Sequence, residues 1–387
     1  MPEYLTPDVY VEEVPAGPRP IQAVGTRTAA FVGVAPTGRS VGRALAINNW
    51  LQFKREYADE RSTGTHLSNA VFGFFQNGGS RCFVANIRQN DAVEAGLRLF
   101  EAEDEVAIVA APGFADAASY EAVLTHCELL KDRVAILDAP AEVKDIGDLT
   151  KVATASRRKG VGEPEASGLR PRQSEFGAFY FPWITARDAL GGELVDIPPS
   201  GHIAGVWARN DAARGVHKAP ANEPIRGALN LTYRMTQAEQ GTLNPMGVNC
   251  IRFFSREGIR LWGARTLADA SSEWRYLNVR RLFNMIEESI AEATRWIVFE
   301  PNNRELWKSI RRDISAFLTR VWLDGALQGR NRQEAFFVKC DEETNPPEEI
   351  DEGRVIAIIG IAPVKPAEFV IFKISQYAGG VEIEAEV

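Results

Sequence analysis

Apolar side chains recur along this chain in two rhythms, and the change from one to the other marks a change in expected architecture. In the first half, short continuous apolar runs at 29–34, 82–87, 106–111, 134–137 and 176–181 are each flanked by turn residues or charges. Between several of them the spacing becomes helical: Leu67, Val71, Phe74 and Phe75; then Val93, Leu97 and Phe100; then Tyr120, Val123, Leu124, Cys127 and Leu130. Continuous apolar strands separated by amphipathic helices predict an α/β unit with a largely parallel sheet covered on both faces by flanking helices. Residues 159–173 are rich in Gly, Pro and charge, lack periodicity, and read as an exposed loop before the last of these strands.

Beyond Leu267 the pattern changes. A helical stretch opens at Trp274, carries Leu282, Ile286, Ile290, Ala293 and Ile297 on one face, and is expected to stop at Glu300-Pro301, because proline cannot continue the ladder. A second helix follows, capped by Asn302 or Asn303, with Leu306, Ile310, Ile314, Phe317, Leu318 and Val321 as its buried stripe. Strands are expected at 335–340, 354–362 and 368–374, with the acidic, proline-containing segment 341–353 as a loop. This predicts a C-terminal α+β domain of two helices against a small sheet.

Each end of the chain carries a strand pattern without an evident partner. After a Gly379-Gly380 hinge, Val381, Ile383, Ala385 and Val387 alternate with three glutamates. At the other end, a run containing Val9, Tyr10, Val11, Glu12 and Val14 leads into Pro15-Ala16-Gly17-Pro18 instead of a hairpin turn. An unpaired edge strand invites another chain, although termini also fray. Two such arms favour an assembling subunit. The expected organisation is an N-terminal arm at 1–20, an α/β domain at 21–267, an α+β domain at 268–378 and a C-terminal strand arm at 379–387.

Composition narrows the function. At 387 residues the chain is longer than a single core supports. Its 44 basic and 52 acidic residues give a net charge of -8, which argues against a mainly electrostatic nucleic-acid or membrane-surface binder. The start lacks a basic region followed by an apolar stretch, and the most apolar run, 355–362, is too short to span a bilayer. A chain made and folded in a cytosol is expected. Cys82, Cys127, Cys250 and Cys340 lie too far apart for a CxxC pair and read as buried thiols.

Candidate chemistry is sparse. The segment from Gly33 to Ser40 almost spells a phosphate-binding loop, but Arg39 stands at the lysine position, Pro36 removes a backbone donor, and no helix is expected at Ser40. No metal-ligand spacing occurs. A serine hydrolase would need its serine, histidine and carboxylate to converge. Asp138 at a strand end, His66 and Ser200 are the residues from which a triad could be assembled, without a GxSxG elbow. The alternatives are that Ser200 is an N-cap and that His66 initiates a helix near Leu67.

Several segments carry a more specific signal. Tyr4-Leu5-Thr6-Pro7-Asp8-Val9-Tyr10-Val11-Glu12-Glu13-Val14, with Arg19-Pro20-Ile21 and Gly25-Thr26, resembles the start of contractile tail sheath proteins of phages, tailocins and extracellular injection systems. Further matches follow at Phe75-Gln76-Asn77-Gly78-Gly79, Ile203-Ala204-Gly205-Val206, Lys218-Ala219-Pro220-Ala221-Asn222, Asn244-Pro245, Gly263-Ala264-Arg265-Thr266 and Val279-Arg280-Arg281-Leu282. They run the length of the chain.

The resemblance implies a structural subunit without enzymatic activity or cofactor. Its α/β domain would be subtilisin-like in fold only, so a subtilisin-fold serine hydrolase is the alternative reading. Both arms would add strands to the C-terminal sheets of neighbouring copies. Hexameric rings would stack into a helical sheath around an inner tube, in contact with baseplate and terminator or cap proteins, and without nucleic-acid binding or membrane insertion. Assembly would take place in a bacterial cytoplasm. For contact with the tube, the candidates are Arg304, Lys308, Arg311 and Arg312, opposite the apolar stripe of the second C-terminal helix.

Overall fold

A computed structural model describes residues 20–88, 92–154 and 168–371. Its centre is a nine-stranded sheet, with a separate small sheet of β10 (Asn230–Leu231), β7 (Ile184–Arg187) and β8 (Leu194–Ile197). Strands β1 (Ala29–Gly33), β3 (Cys82–Asn86), β4 (Ile108–Ala110), β5 (Val134–Asp138), β6 (Gly177–Phe181) and β11 (Val248–Phe254) run parallel in the order β3-β1-β4-β5-β6-β11. Antiparallel strands extend both edges: β2 (Ala44–Ile47) beside β3, and β12 (Gly258–Trp262) followed by β9 (Glu223–Pro224) beyond β11.

Side chains alternate between two cores across this sheet. Phe31, Val84, Ile136 and Tyr180 face helices α2 (His66–Asn77) and α5 (Ser200–Arg214), whereas Val32, Ala85, Leu137 and Phe179 face α3 (Val93–Leu97) and α4 (Ala117–Leu130). Burial on both faces explains why these strands read as unbroken apolar runs. The helices start where side chains can satisfy their first backbone donors: Thr65 and Ser68 form a reciprocal cap on α2, and the Asp116 carboxylate accepts from Ala118 and Ser119 on α4. Helices α2 and α5 cross closely because glycines line the contact. A Cβ on Gly201 would stand 2.2 Å from Ala70 Cα, and one on Gly205 would stand 2.4 Å from the Phe74 carbonyl oxygen.

A second layer belongs to the C-terminal part. Helices α7 (Leu277–Thr294) and α8 (Arg304–Leu323) bury Leu282, Ile286, Leu306, Ile310, Ile314, Phe317, Leu318 and Val321 in a separate core. The α8 cap is Asn303, whose side chain accepts from Glu305 and Leu306, while Asn302 accepts from the Trp307 indole. The expected Trp274 helix is shorter than its pattern suggested. It occupies Leu277–Thr294, with tight 3-10 turns at Glu273–Arg275 and Arg295–Ile297 on either side. The segment from Ile21 to Val24 packs into this layer rather than onto the large sheet: Ile21 is buried among these helices and the Val24 amide donates to Ser289 Oγ at 3.0 Å.

Three details differ from the expected C-terminal sheet. Among the described residues it is an antiparallel pair, β13 (Phe336–Lys339) with β14 (Ile358–Ile361). The 341–353 loop contains a short helix, Pro347–Asp351, with prolines at its start. The strand expected at 368–374 pairs with nothing over its described part: Glu368, Phe369, Val370 and Ile371 follow one another outside any ladder. Its remaining residues lie outside the described ones, as do all the arm residues Val9, Tyr10, Val11, Glu12, Val14, Gly379, Gly380, Val381, Ile383, Ala385 and Val387.

Candidate functional site: the junction between the two layers

The residues from which a triad could be assembled do not form one. Asp138 and Ser200 do meet, but the Ser200 hydroxyl donates directly to the Asp138 carboxylate at 2.6 Å and the Ser200 amide donates to its other oxygen at 2.8 Å. Ser200 is fully buried and is the first residue of α5, not its cap; Pro199 precedes the helix. Burial pushes the Asp138 carboxyl up to about 7, against the donors from Ser200 and Gly113. His66 sits apart. Its ring packs edge-on to Trp183 with centroids 5.2 Å apart, and burial lowers its pKa. It lines a cleft of about 660 Å³ that includes Val34, Gly113 and Asp188 but neither Ser200 nor Asp138. A serine held by a carboxylate, with no histidine to take its proton, is a structural hydrogen bond and not an activated nucleophile.

The Gly33 to Ser40 segment leads into β2 and no helix starts there to hold a phosphate. Among the described residues no cluster of His, Cys, Asp and Glu could hold a metal ion, and no helix is long and apolar enough to cross a membrane. All four cysteines are buried with free thiols, and burial raises their pKa values, Cys250 to about 12.

Polar chemistry concentrates instead where α7 meets the α/β layer. Arg280 and Arg281 are adjacent in an otherwise amphipathic helix, and both are buried. Arg281 donates to both oxygens of Asp211, at 2.7 and 3.1 Å, and to the Thr26 carbonyl at 2.9 Å. The two charged side chains are 3% and 2% exposed, so the pair is withdrawn from water. Thr26 completes the node by donating its hydroxyl to Asp211 at 2.6 Å, and Trp207 lies under the guanidinium, 4.7 Å from its ring centroid. Arg280 reaches the other way, to Glu175 at 3.2 Å, with its guanidinium 4.1 Å from the Trp274 ring centroid.

A second tie holds the segment after β14. Arg265 makes a two-pronged ion pair with Glu368 at 2.8 and 2.6 Å and also donates to the Asn244 carbonyl at 2.9 Å. Asn249 fixes the Arg265 backbone by donating to its carbonyl at 2.8 Å and accepting from its amide at 2.7 Å. Burial would push the Glu368 carboxyl up, but hydrogen bonds from Arg265 and Asn244 hold it below the ordinary glutamate value. From α7, Asn278 donates to the Val364 carbonyl at 3.2 Å and to the His217 carbonyl at 2.8 Å. The chain is therefore pinned at Ile21, Val24 and Thr26 near one end, and at Val364 and Glu368 near the other.

These ties gather the motifs that looked scattered in sequence. Asn244, Asn249, Arg265, Arg280 and Arg281 all act at one junction. The chain matches two profiles of one family over adjoining stretches: "Phage tail sheath protein central domain" over residues 87–267 and "Phage tail sheath C-terminal domain" over residues 269–376. It is 31% identical to a chain from the contracted sheath of an extracellular contractile injection system, PVC, covering 98% of this chain and 99% of that one with a TM-score of 0.82. This chain belongs to the contractile tail sheath family. A chain from the baseplate of the anti-feeding prophage (AFP) is likewise 31% identical, with a TM-score of 0.76 over 96% of this sheath protein and 99% of that chain. Among curated relatives, the tail sheath protein of Salmonella phage ViI is 27% identical over 67% of this chain and 42% of its own length. That of Vibrio phage KVP40 is 30% identical over 45% of this chain and 26% of its own length. The sheath protein thus spans less than half of these two relatives.

Asp211→Ala should destabilise this protein by about 3–5 kcal/mol, because it strands a buried guanidinium. Replacing both partners, Asp211→Leu with Arg281→Met, should recover most of that loss. Urea denaturation of the two variants beside the natural protein measures both effects; equal losses for the single and double variants would show that the pair is not a coupled unit.

Proposed function

We propose that this chain is the structural subunit of a contractile sheath, which polymerises around an inner tube in an extended metastable state and then contracts to drive the tube through a target envelope. The observation that carries this reading is the likeness along nearly the whole chain to a contracted injection-system sheath at 31% identity. The likeness to a six-fold symmetrised baseplate supports hexameric rings and a baseplate partner. An internal hydrogen bond where the hydrolase reading needed a nucleophile supports a structural role, with the α/β domain subtilisin-like in fold alone.

The arms are the linkers in this proposal. Strand addition needs only main-chain pairing, and each backbone hydrogen bond contributes roughly 0.5–1.5 kcal/mol net, so one joint is modest and a ring of them is durable. What supports this reading is that the chain is pinned at Thr26 and Glu368, just inside the two arms. Pull on an arm would then be transmitted to the junction, and the subunit would shift as a rigid body while the strands stay paired. The division at about residue 267 into an α/β and an α+β part fits this picture, with the two parts tied too firmly to flex.

Contact with the tube is assigned to α8. Arg304, Lys308 and Arg312 are exposed there, each with an acidic neighbour in the chain: Glu342 at 2.6 Å, Glu305 at 2.8 Å and Asp313 at 2.9 Å. Arg311 is half-buried and donates to the Cys340 carbonyl at 2.9 Å, which ties α8 to the end of β13. The Arg304 and Lys308 pairs are exposed and contribute little to stability, so these two side chains are free to exchange partners with an acidic surface, whereas Arg312 is paired with the buried Asp313.

Deleting residues 381–387 should leave a folded, soluble subunit and abolish long sheaths in electron micrographs; sheaths of normal length would sink strand exchange. Reversing charge at Arg304 and Lys308 together should leave the melting temperature within a degree or two, since both belong to exposed pairs and surface substitutions are nearly neutral, while reducing co-assembly with tubes. Undiminished co-assembly would return α8 to plain surface.

A further inference from the structure

The turn between α7 and α8 exposes an aromatic ring that none of the described residues covers. Phe299 is 102% exposed and its neighbour Val298 is 63% exposed. Phe299 also has φ of +74°, a left-handed conformation that bulky residues rarely adopt. Backbone hydrogen bonds hold it there, from Glu300 to the Ile297 carbonyl and from Val298 to the Arg295 carbonyl. Strain of this kind persists where the surrounding structure enforces it, and it concentrates at functional sites. Glu300, next in sequence, is exposed and has no ion-pair partner among the described residues.

A groove with the opposite chemistry lies at the other end of α7. It measures about 570 Å³, and its apolar lining includes Ala219, Ala221, Trp262, Ala264 and Phe369. Arg252 also lines it. This arginine donates to Gln240 at 2.8 Å, lacks a carboxylate partner among the described residues, and keeps a buried Nε without any hydrogen bond. Tyr276, which immediately precedes α7, forms part of the same lining. Knob and groove are therefore separated by an 18-residue helix, about 27 Å at 1.5 Å per residue. A subunit cannot fill its own groove with its own knob.

We propose that Phe299 of one copy seats in this groove on the next copy, with Glu300 of the first pairing with Arg252 of the second. A knob and a hole at opposite ends of one rigid element make a head-to-tail contact, which repeats without closing on itself unless the rotation happens to close. That is the geometry a helical sheath needs, and the inference rests on the sheath reading above. It adds a side-chain contact that is separate from the arms. An aromatic anchor entering a desolvated pocket, with a charge pair at its edge, is the usual composition of an interface hot spot.

The test uses full-length protein assembled into sheaths. Phe299→Ala should leave the melting curve unchanged, since the ring is fully exposed, and should raise the concentration needed for assembly by about tenfold. Glu300→Arg and Arg252→Glu should each weaken assembly, and the two combined should restore it. Phe299→Cys in one preparation and Ala367→Cys in another, mixed before assembly and treated with a short bis-maleimide, should give crosslinked dimers; the native thiols are buried and stay silent. Intact sheaths with no crosslink, or a crosslink from residue 299 to the tube instead, would overturn the contact while leaving the sheath reading in place. Wild-type protein that forms no sheath would overturn both.

Discussion

Arg281 and Asp211 have both been withdrawn from water, and an unpaired charge in that position would cost several kcal/mol. The helix bearing one and the helix bearing the other therefore cannot part without exposing or stranding a charge. Thr26 joins the same node through its hydroxyl and its carbonyl, so the entering chain is fixed by the pair that joins the layers. Arg265 repeats the device at the exit with Glu368, again using a planar guanidinium against a carboxylate, a geometry lysine could not reproduce. Apolar residues in place of these ion pairs would hold the layers about as strongly, but they would not specify so narrowly where each segment of chain lies.

This arrangement separates what is rigid from what links. The α/β sheet is buried on both faces, and its helices pack at glycine-lined contacts that leave no slack. The C-terminal helices form a separate core that is bound to the first by α7. The ties at Thr26 and Glu368 join both layers of the described residues, so in the sheath proposed above rearrangement would fall between copies and not within one.

Much of this could be read from sequence. Strands buried on both faces announce themselves as unbroken apolar runs, and the α8 stripe of Leu306, Ile310, Ile314 and Phe317 was plain from its spacing. The junction was not, because its pairs join residues far apart in the chain: Arg281 with Asp211, Arg265 with Glu368, Arg280 with Glu175. The one available signal was the Arg280-Arg281 doublet inside a helix with an apolar stripe, where buried arginines need distant carboxylates. Ser200 misled as a cap because its true acceptor, Asp138, comes from a strand 62 positions earlier. The strand expected from Glu368 onward has no ladder over its described residues for a different reason. Its residues favour extended structure, but a ladder needs a second strand, and β propensity says nothing about where that strand comes from.

A subunit tied in this way should stay rigid at its junction while the proposed sheath shortens. Cryo-electron microscopy of the same sheath in extended and contracted forms tests it directly, through the distances at Arg281 with Asp211 and Arg265 with Glu368. Both ion pairs should remain within hydrogen-bonding distance in the two forms while the contacts between copies rearrange. A rotation of α7 against the large sheet that breaks either pair would contradict it.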